Sequence, residues 1–150
     1  MRILIVEDDH WFGREIVQDV ETAIPSLHGS IRVIKSEKEF RGVFRSTEAL
    51  SFELIILDVM VQWDMAGSES IPEEDARAEG YFKAGIRCLE LIRKHRSTGG
   101  TPVIVYSARD REVILQGIRQ RQIAMEGIQI ISKSGDPETL LEAVKQHIRS

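Results

Sequence analysis

Five short apolar runs punctuate the chain: Arg2 to Val6, Ile31 to Ile34, Leu54 to Leu57, Val103 to Tyr106 and Ile128 to Ile131. Longer stretches lie between them, with apolar residues recurring every three or four positions. This alternation predicts βα units built on a parallel sheet. The first, third and fourth runs are continuously apolar, as strands covered on both faces must be, whereas Arg32 and Gln129 interrupt the other two. The interrupted runs are therefore expected at the edges. Among doubly wound α/β orders, the flavodoxin-like order 2-1-3-4-5 satisfies this. It places a crevice at the carboxyl ends of the first and third strands.

The helices announce themselves by spacing and caps. Phe12, Ile16, Val17 and Val20 form a stripe after the first strand, and Ser36-x-x-Glu39 is a capping box ahead of Phe40, Val43 and Phe44. Ile86, Leu89 and Ile92 make a third stripe. A fourth helix is predicted over Asp110 to Met125, with Val113, Ile114 and Ile118 inward and Arg111, Arg119 and Arg121 on a solvated outer face. Asp136 followed by Pro137 starts the last helix, which carries Leu140, Val144 and Ile148. One segment breaks the rhythm. Val59 to Ala84 is far longer than the few residues a βα connection normally takes. It is read as an insertion within a single domain spanning 1–150, with Trp63, Met65, Tyr81 and Phe82 large enough to dock it as a folded flap.

Composition narrows the function classes. The 150 residues contain 24 acids against 20 Lys plus Arg, a formal charge of −4, which gives nucleic-acid binding little electrostatic support. The insertion holds six acids (Asp64, Glu69, Glu73, Glu74, Asp75, Glu79) and two bases (Arg77, Lys83), so the remainder is formally neutral. The single cysteine, Cys88, falls on an apolar helix face and reads as core rather than nucleophile. No run approaches the roughly 20 apolar residues needed to span a bilayer, and no signal peptide opens the chain, so a cytoplasmic protein without membrane contact is expected. His10, His28, His95 and His147 lack any ligand spacing. Neither GxxxxGK nor GxGxxG occurs, so nucleotide-dependent catalysis has no motif support.

The chemistry gathers at one rim of the predicted sheet. Glu7, Asp8 and Asp9 follow the first strand, Asp58 ends the third, Ser107 the fourth and Lys133 the fifth. Clustered carboxylates resist joint ionisation unless a cation sits among them, and hard oxygen ligands at an open site suit Mg²⁺. An Asp beside Mg²⁺, a Lys and a hydroxyl is a phosphoryl-transfer constellation. Asp9 reads as a helix cap.

The stretches RILIVEDD (2–9), ELIILDVM (53–60), TPVIVYSA (101–108) and IISKSG (130–135) resemble the signature segments of receiver domains of two-component response regulators. The likeness spans the chain outside the insertion. It implies that Asp58 accepts a phosphoryl group from a histidine kinase or phosphotransfer protein and that Lys133 offsets charge on the transferred group. It further implies that Ser107 hydrogen-bonds the adduct. Asp8 and Asp58 would be direct Mg²⁺ ligands, Glu7 would act through water, and Met60 would add its backbone carbonyl. Such a protein is a switch that assists its own phosphoryl transfer and hydrolysis, not a conventional enzyme. Its output would pass to a protein partner or an effector outside this chain, and there is room for a homodimer through the fourth helix, fifth strand and last helix.

Three departures from that family stand out. Ile130 replaces the aromatic three positions before the lysine, Ser134 replaces the proline after it, and the insertion separates Asp58 from Gly85. With no proline, a cis bond after Lys133 is not expected. Two rival classes remain in view. One is a haloacid-dehalogenase-type phosphohydrolase, which Asp58-Val59-Met60 disfavours because the second Asp is missing. The other is a pseudo-receiver that binds partners without being phosphorylated.

Overall fold

The computed structural model describes residues 1–95 and 98–149, apart from the side chain of Leu50. Its strands are β1 (Ile3–Val6), β2 (Ile31–Ile34), β3 (Leu54–Leu57), β4 (Val103–Ser107) and β5 (Ile128–Ser132). All pair in parallel, in the order β2-β1-β3-β4-β5. The helices are α1 (His10–Ala23), α2 (Glu37–Phe44), α3 (Glu74–Glu79), α4 (Ala84–Lys94), α5 (Arg111–Gln120) and α6 (Pro137–Arg149).

Side-chain alternation along each strand divides the core in two. Ile3, Ile5, Leu54, Ile56, Ile104 and Tyr106 face α1 and α6, where they meet Ile16, Val20, Leu140 and Val144. Leu4, Val6, Ile55, Leu57, Val103 and Val105 face the other way, against Phe40 and Val43 of α2, Ile86 and Leu89 of α4 and Ile114 and Ile118 of α5. The central strands are buried at every position, which is why their sequences show no polar alternation. The edge strands β2 and β5 are only partly buried. Cys88 is buried in the core, as expected.

The caps behave largely as read. Ser36 accepts from the Glu39 N–H at 3.1 Å, although the Glu39 carboxylate reaches back to the Lys35 N–H rather than to that of Ser36. Asp9 accepts from the Phe12 N–H, and Asp136 from that of Glu138. No peptide bond is cis among the described residues.

Four expectations need correction. α5 stops at Gln120 rather than Met125, because Gln122 takes a positive φ of 54° and closes a Schellman turn. Its N–H bonds to the Arg119 carbonyl and the Ile123 N–H to that of Ile118. Val113 does not face inward: one position from Ile114 it lies well around the helix, 45% exposed. Arg121 is not a solvated residue, since its guanidinium pairs with Glu79 and Glu90. The flap is folded, but Met65, Tyr81 and Phe82 do not anchor it by burial, for all three are exposed.

Charge and backbone hold the flap instead. Arg41 of α2 reaches Glu73 and Asp75, each at 2.9 Å, Arg45 pairs with Glu73, and Lys38 with Asp64 at 3.0 Å. Of the expected anchors, Trp63 lies with its ring centre 5.4 Å from the Arg41 guanidinium and Phe82 with its ring centre 5.4 Å from that of Arg109. Val59 and Val61 are buried beneath. The Gln62 and Trp63 carbonyls, both 2.9 Å away, accept from the Glu37 and Lys38 N–H groups. The flap thereby satisfies donors that the first turn of any helix leaves unpaired.

Candidate functional site

The sheet register brings the site together. Val6 and Leu57 are register partners, so the residues one step beyond them, Glu7 and Asp58, emerge side by side. The Asp58 N–H donates to the Val6 carbonyl at 3.0 Å and that of Glu7 to Ile34 at 2.9 Å. Across the sheet, Ser107 pairs with Ser132, and the next residue, Lys133, donates its N–H to the Ser107 carbonyl at 3.0 Å. Glu7, Asp58 and Ser107 are buried.

Lys133 is the hub. Its Nζ donates to Asp58 Oδ2 at 2.7 Å and to Glu7 Oε2, and lies 4.4 Å from the centre of the Phe12 ring. Burial works to deprotonate this lysine, but the hydrogen bonds to Asp58 and Glu7 outweigh it and hold its ammonium above the ordinary lysine range. Glu7 shows the opposite balance. Burial pushes its carboxyl up to about 7 despite the pull of Lys133. The other Asp58 oxygen, Oδ1, accepts from the Val59 N–H at 2.6 Å and the Met60 N–H at 3.3 Å. Ser107 Oγ accepts from the Arg109 N–H at 3.2 Å.

Asp8 stands slightly apart. It is half-buried and its Oδ2 accepts from the Gln62 N–H at 3.0 Å, which ties the flap to the acidic rim. Asp9 serves as the α1 cap. Ile130 is half-buried on β5, with its carbonyl accepting from Arg111 Nη1 at 3.2 Å. Gly85 explains how the chain returns beside Asp58. A Cβ there would lie 2.1 Å from the Asp58 carbonyl oxygen and 2.5 Å from Val59 Cα, so only glycine admits this approach.

The donor set suits a hard divalent cation. Asp8 and Asp58 offer carboxylate oxygens, and the Met60 carbonyl follows on the same backbone; Mg²⁺ usually keeps several waters and needs only one or two carboxylates. The three expected acids, Glu7, Asp8 and Asp58, are not brought together as a metal-holding group: no three His, Cys, Asp or Glu side chains are so placed among the described residues. Glu7 is already engaged by Lys133.

Pattern reading of the sequence missed a second ionic cluster. Glu37 is 1% exposed and receives Arg41 Nη2 at 2.7 Å and Arg87 Nη2 at 2.6 Å, with both guanidinium groups buried. The i,i+4 spacing of Glu37 and Arg41 was a usable signal. Arg87, 50 residues away within an apolar helix, gave none.

No protein-family model and no curated protein sequence matches the chain. Solved structures do. The chain superposes over its full length on 99% of the signal receiver domain of a DNA-binding response regulator from Colwellia psychrerythraea 34H, at 17% identity and TM-score 0.68. A signal receiver domain of a two-component histidine kinase from Clostridium thermocellum matches at TM-score 0.65 and 18% identity, covering 99% of this chain and 98% of that one. A CheY-like receiver from Methanospirillum hungatei JF-1 gives TM-score 0.61 and 19% identity, over 99% and 93%. No helix is long and apolar enough to cross a membrane among the described residues. From β1 to α6, this chain has the fold of a response-regulator receiver domain.

Proposed function

We propose that the protein is a phosphoacceptor switch in which Asp58 takes a phosphoryl group from a phosphohistidine on a histidine kinase or phosphotransfer protein. The observation that carries this reading is Lys133, held between Glu7 and Asp58 at the carboxyl end of the sheet. An Asp58 carboxylate oxygen forms the new bond to phosphorus as the bond from phosphorus to the imidazole nitrogen breaks. The products are an acyl phosphate and a free histidine. Lys133 neutralises charge on the phosphoryl oxygens, and the Val59 and Met60 N–H groups orient the carboxylate. Ser107 Oγ donates to a phosphoryl oxygen, drawing the loop that leads to α5. Mg²⁺, held by Asp8, Asp58 and the Met60 carbonyl, would supply further charge neutralisation when bound.

Intact-mass analysis after incubation with acetyl phosphate and Mg²⁺ tests the proposal. Wild type should gain one phosphoryl group and Asp58→Asn none. An unmodified wild type would instead support a phosphorylation-independent binding module, and equal labelling of both would move the acceptor elsewhere.

A further inference from the structure

A cleft of about 440 Å³ lies between the end of the flap, the start of α4 and α5. Its rim carries two apolar side chains that the fold leaves uncovered, Phe82 at 47% and Val113 at 45% exposure. Phe82 is also held in place: Tyr81 stacks on it at 4.2 Å, and the Arg109 guanidinium sits 5.4 Å from its ring centre. The cleft is thus a fixed apolar surface, not a loose side chain in solvent.

Its charge is one-sided. Lys83, Arg109 and Arg121 line it against one acid, Glu79. Arg121 is shared between Glu79 and Glu90, but Lys83 and Arg109 meet no carboxylate among the described residues. In a chain of net negative charge, this is a local cationic patch around an apolar slot. The inner wall includes Val59, next to Asp58, and Arg109, whose N–H bonds to Ser107. The slot exists because the flap supplies Phe82 and Lys83.

The geometry points to this cleft as the docking site for an acidic peptide segment of a partner protein, with one aromatic side chain seated between Phe82 and Val113 and flanking carboxylates facing Lys83 and Arg109. An aromatic anchor provides the contact area, and the carboxylates select the partner by charge. The inference does not depend on phosphorylation of Asp58.

The test titrates the ¹⁵N-labelled full chain with the peptide Ac-EEFEE-NH2, using Ac-KKFKK-NH2 and Ac-EEAEE-NH2 as controls. Saturable shifts centred on Phe82, Val113 and Gly117 are expected, with affinity at least about tenfold above either control and falling as salt rises. Lys83→Glu combined with Arg109→Glu should abolish binding, whereas Arg109→Lys should retain most of it. Val113→Ser, at an exposed position, weakens binding without threatening the fold. Equal affinity for the basic peptide, shifts centred elsewhere, or no saturation would overturn the inference. So would cleft resonances that move with protein concentration alone, together with a dimer in sedimentation velocity that Lys83→Glu abolishes. That result would assign the slot to contact with a second copy of this chain.

Discussion

A methyl group at position 85 would collide with the backbone that carries Asp58, and no flexible side chain stands in between to yield. Gly85→Ala must therefore push α4 away from the end of β3. A loss of about 3 kcal/mol is expected from urea unfolding, with slower acetyl-phosphate labelling in the fraction that stays folded. Normal labelling and stability would mean that the close approach is unimportant. Glu37 poses a different single-residue question. It is the shared counter-ion of two buried guanidinium groups, and one Arg87 nitrogen, Nη1, already lacks a hydrogen-bond partner. Arg41 keeps Glu73 and Asp75 when Glu37 is neutralised, but Arg87 keeps only Glu79, 3.7 Å away. Glu37→Gln should cost about 3–5 kcal/mol in a denaturant melt, while leaving Asp58 chemically competent. A cost below about 1 kcal/mol would mean that solvent reaches the cluster.

At the scale of elements, the strands and the positions of the site residues were legible because both rest on local periodicity. Five apolar runs became five strands, and carboxylates written one residue past Val6 and Leu57 had to emerge together once those strands paired in register. The end of α5 was not legible, because Gln122 occupies a left-handed position that glycine normally marks. Gln122→Gly should relieve that conformation and raise stability by about 0.5–1 kcal/mol, visible as a higher melting temperature. An unchanged or lower value would show that Gln122 contributes something glycine cannot. Flap docking escaped the sequence for another reason. Arg41 finds Glu73 across 32 residues and Asp75 across 34, and ion pairs at such separations leave no periodic trace.

For the whole molecule, four of the flap's six acids do not project as a negative surface, while Glu69 and Glu74 stay exposed. Asp64, Glu73, Asp75 and Glu79 each meet cations of the body, so the flap is attached by the charge that distinguishes it. This fixes its pH response. The hydrogen bond from Arg41 lowers the Asp75 carboxyl below its ordinary value of 3.8; burial works to raise that of Glu73, but Arg45 and Arg41 prevail and lower it too. Carboxyls depressed in the folded state contribute stability above their unfolded pKa, and that contribution is lost as pH falls through the folded value. The attachment should therefore be constant from neutral pH to about pH 4.5 and weaken below it. Fluorescence of Trp63, read in a Trp11→Phe background, should report this, and a transition between pH 5 and 7 would contradict it. The positions of Ser107, Lys133 and Asp58 follow instead from strand ends, and the segment reaches this rim through the Val59 and Met60 N–H groups on Asp58 and the Gln62 N–H on Asp8.

The return of the chain at Gly85 has one more consequence. The Val59 carbonyl accepts the Gly85 N–H at 2.7 Å, so the excursion leaves and rejoins the body at a single hydrogen bond. Closing such a loop depends only logarithmically on its length, about 0.6 kcal/mol per doubling. The sheet is therefore nearly indifferent to the length of what hangs from this point. The exchangeable part is the outer stretch from Met65 to Pro72: a shorter or foreign one spliced there leaves Met60, Gln62, Trp63, Glu73 and Asp75 in place, and with them the donors to Asp58 and Asp8 and the partners of Arg41.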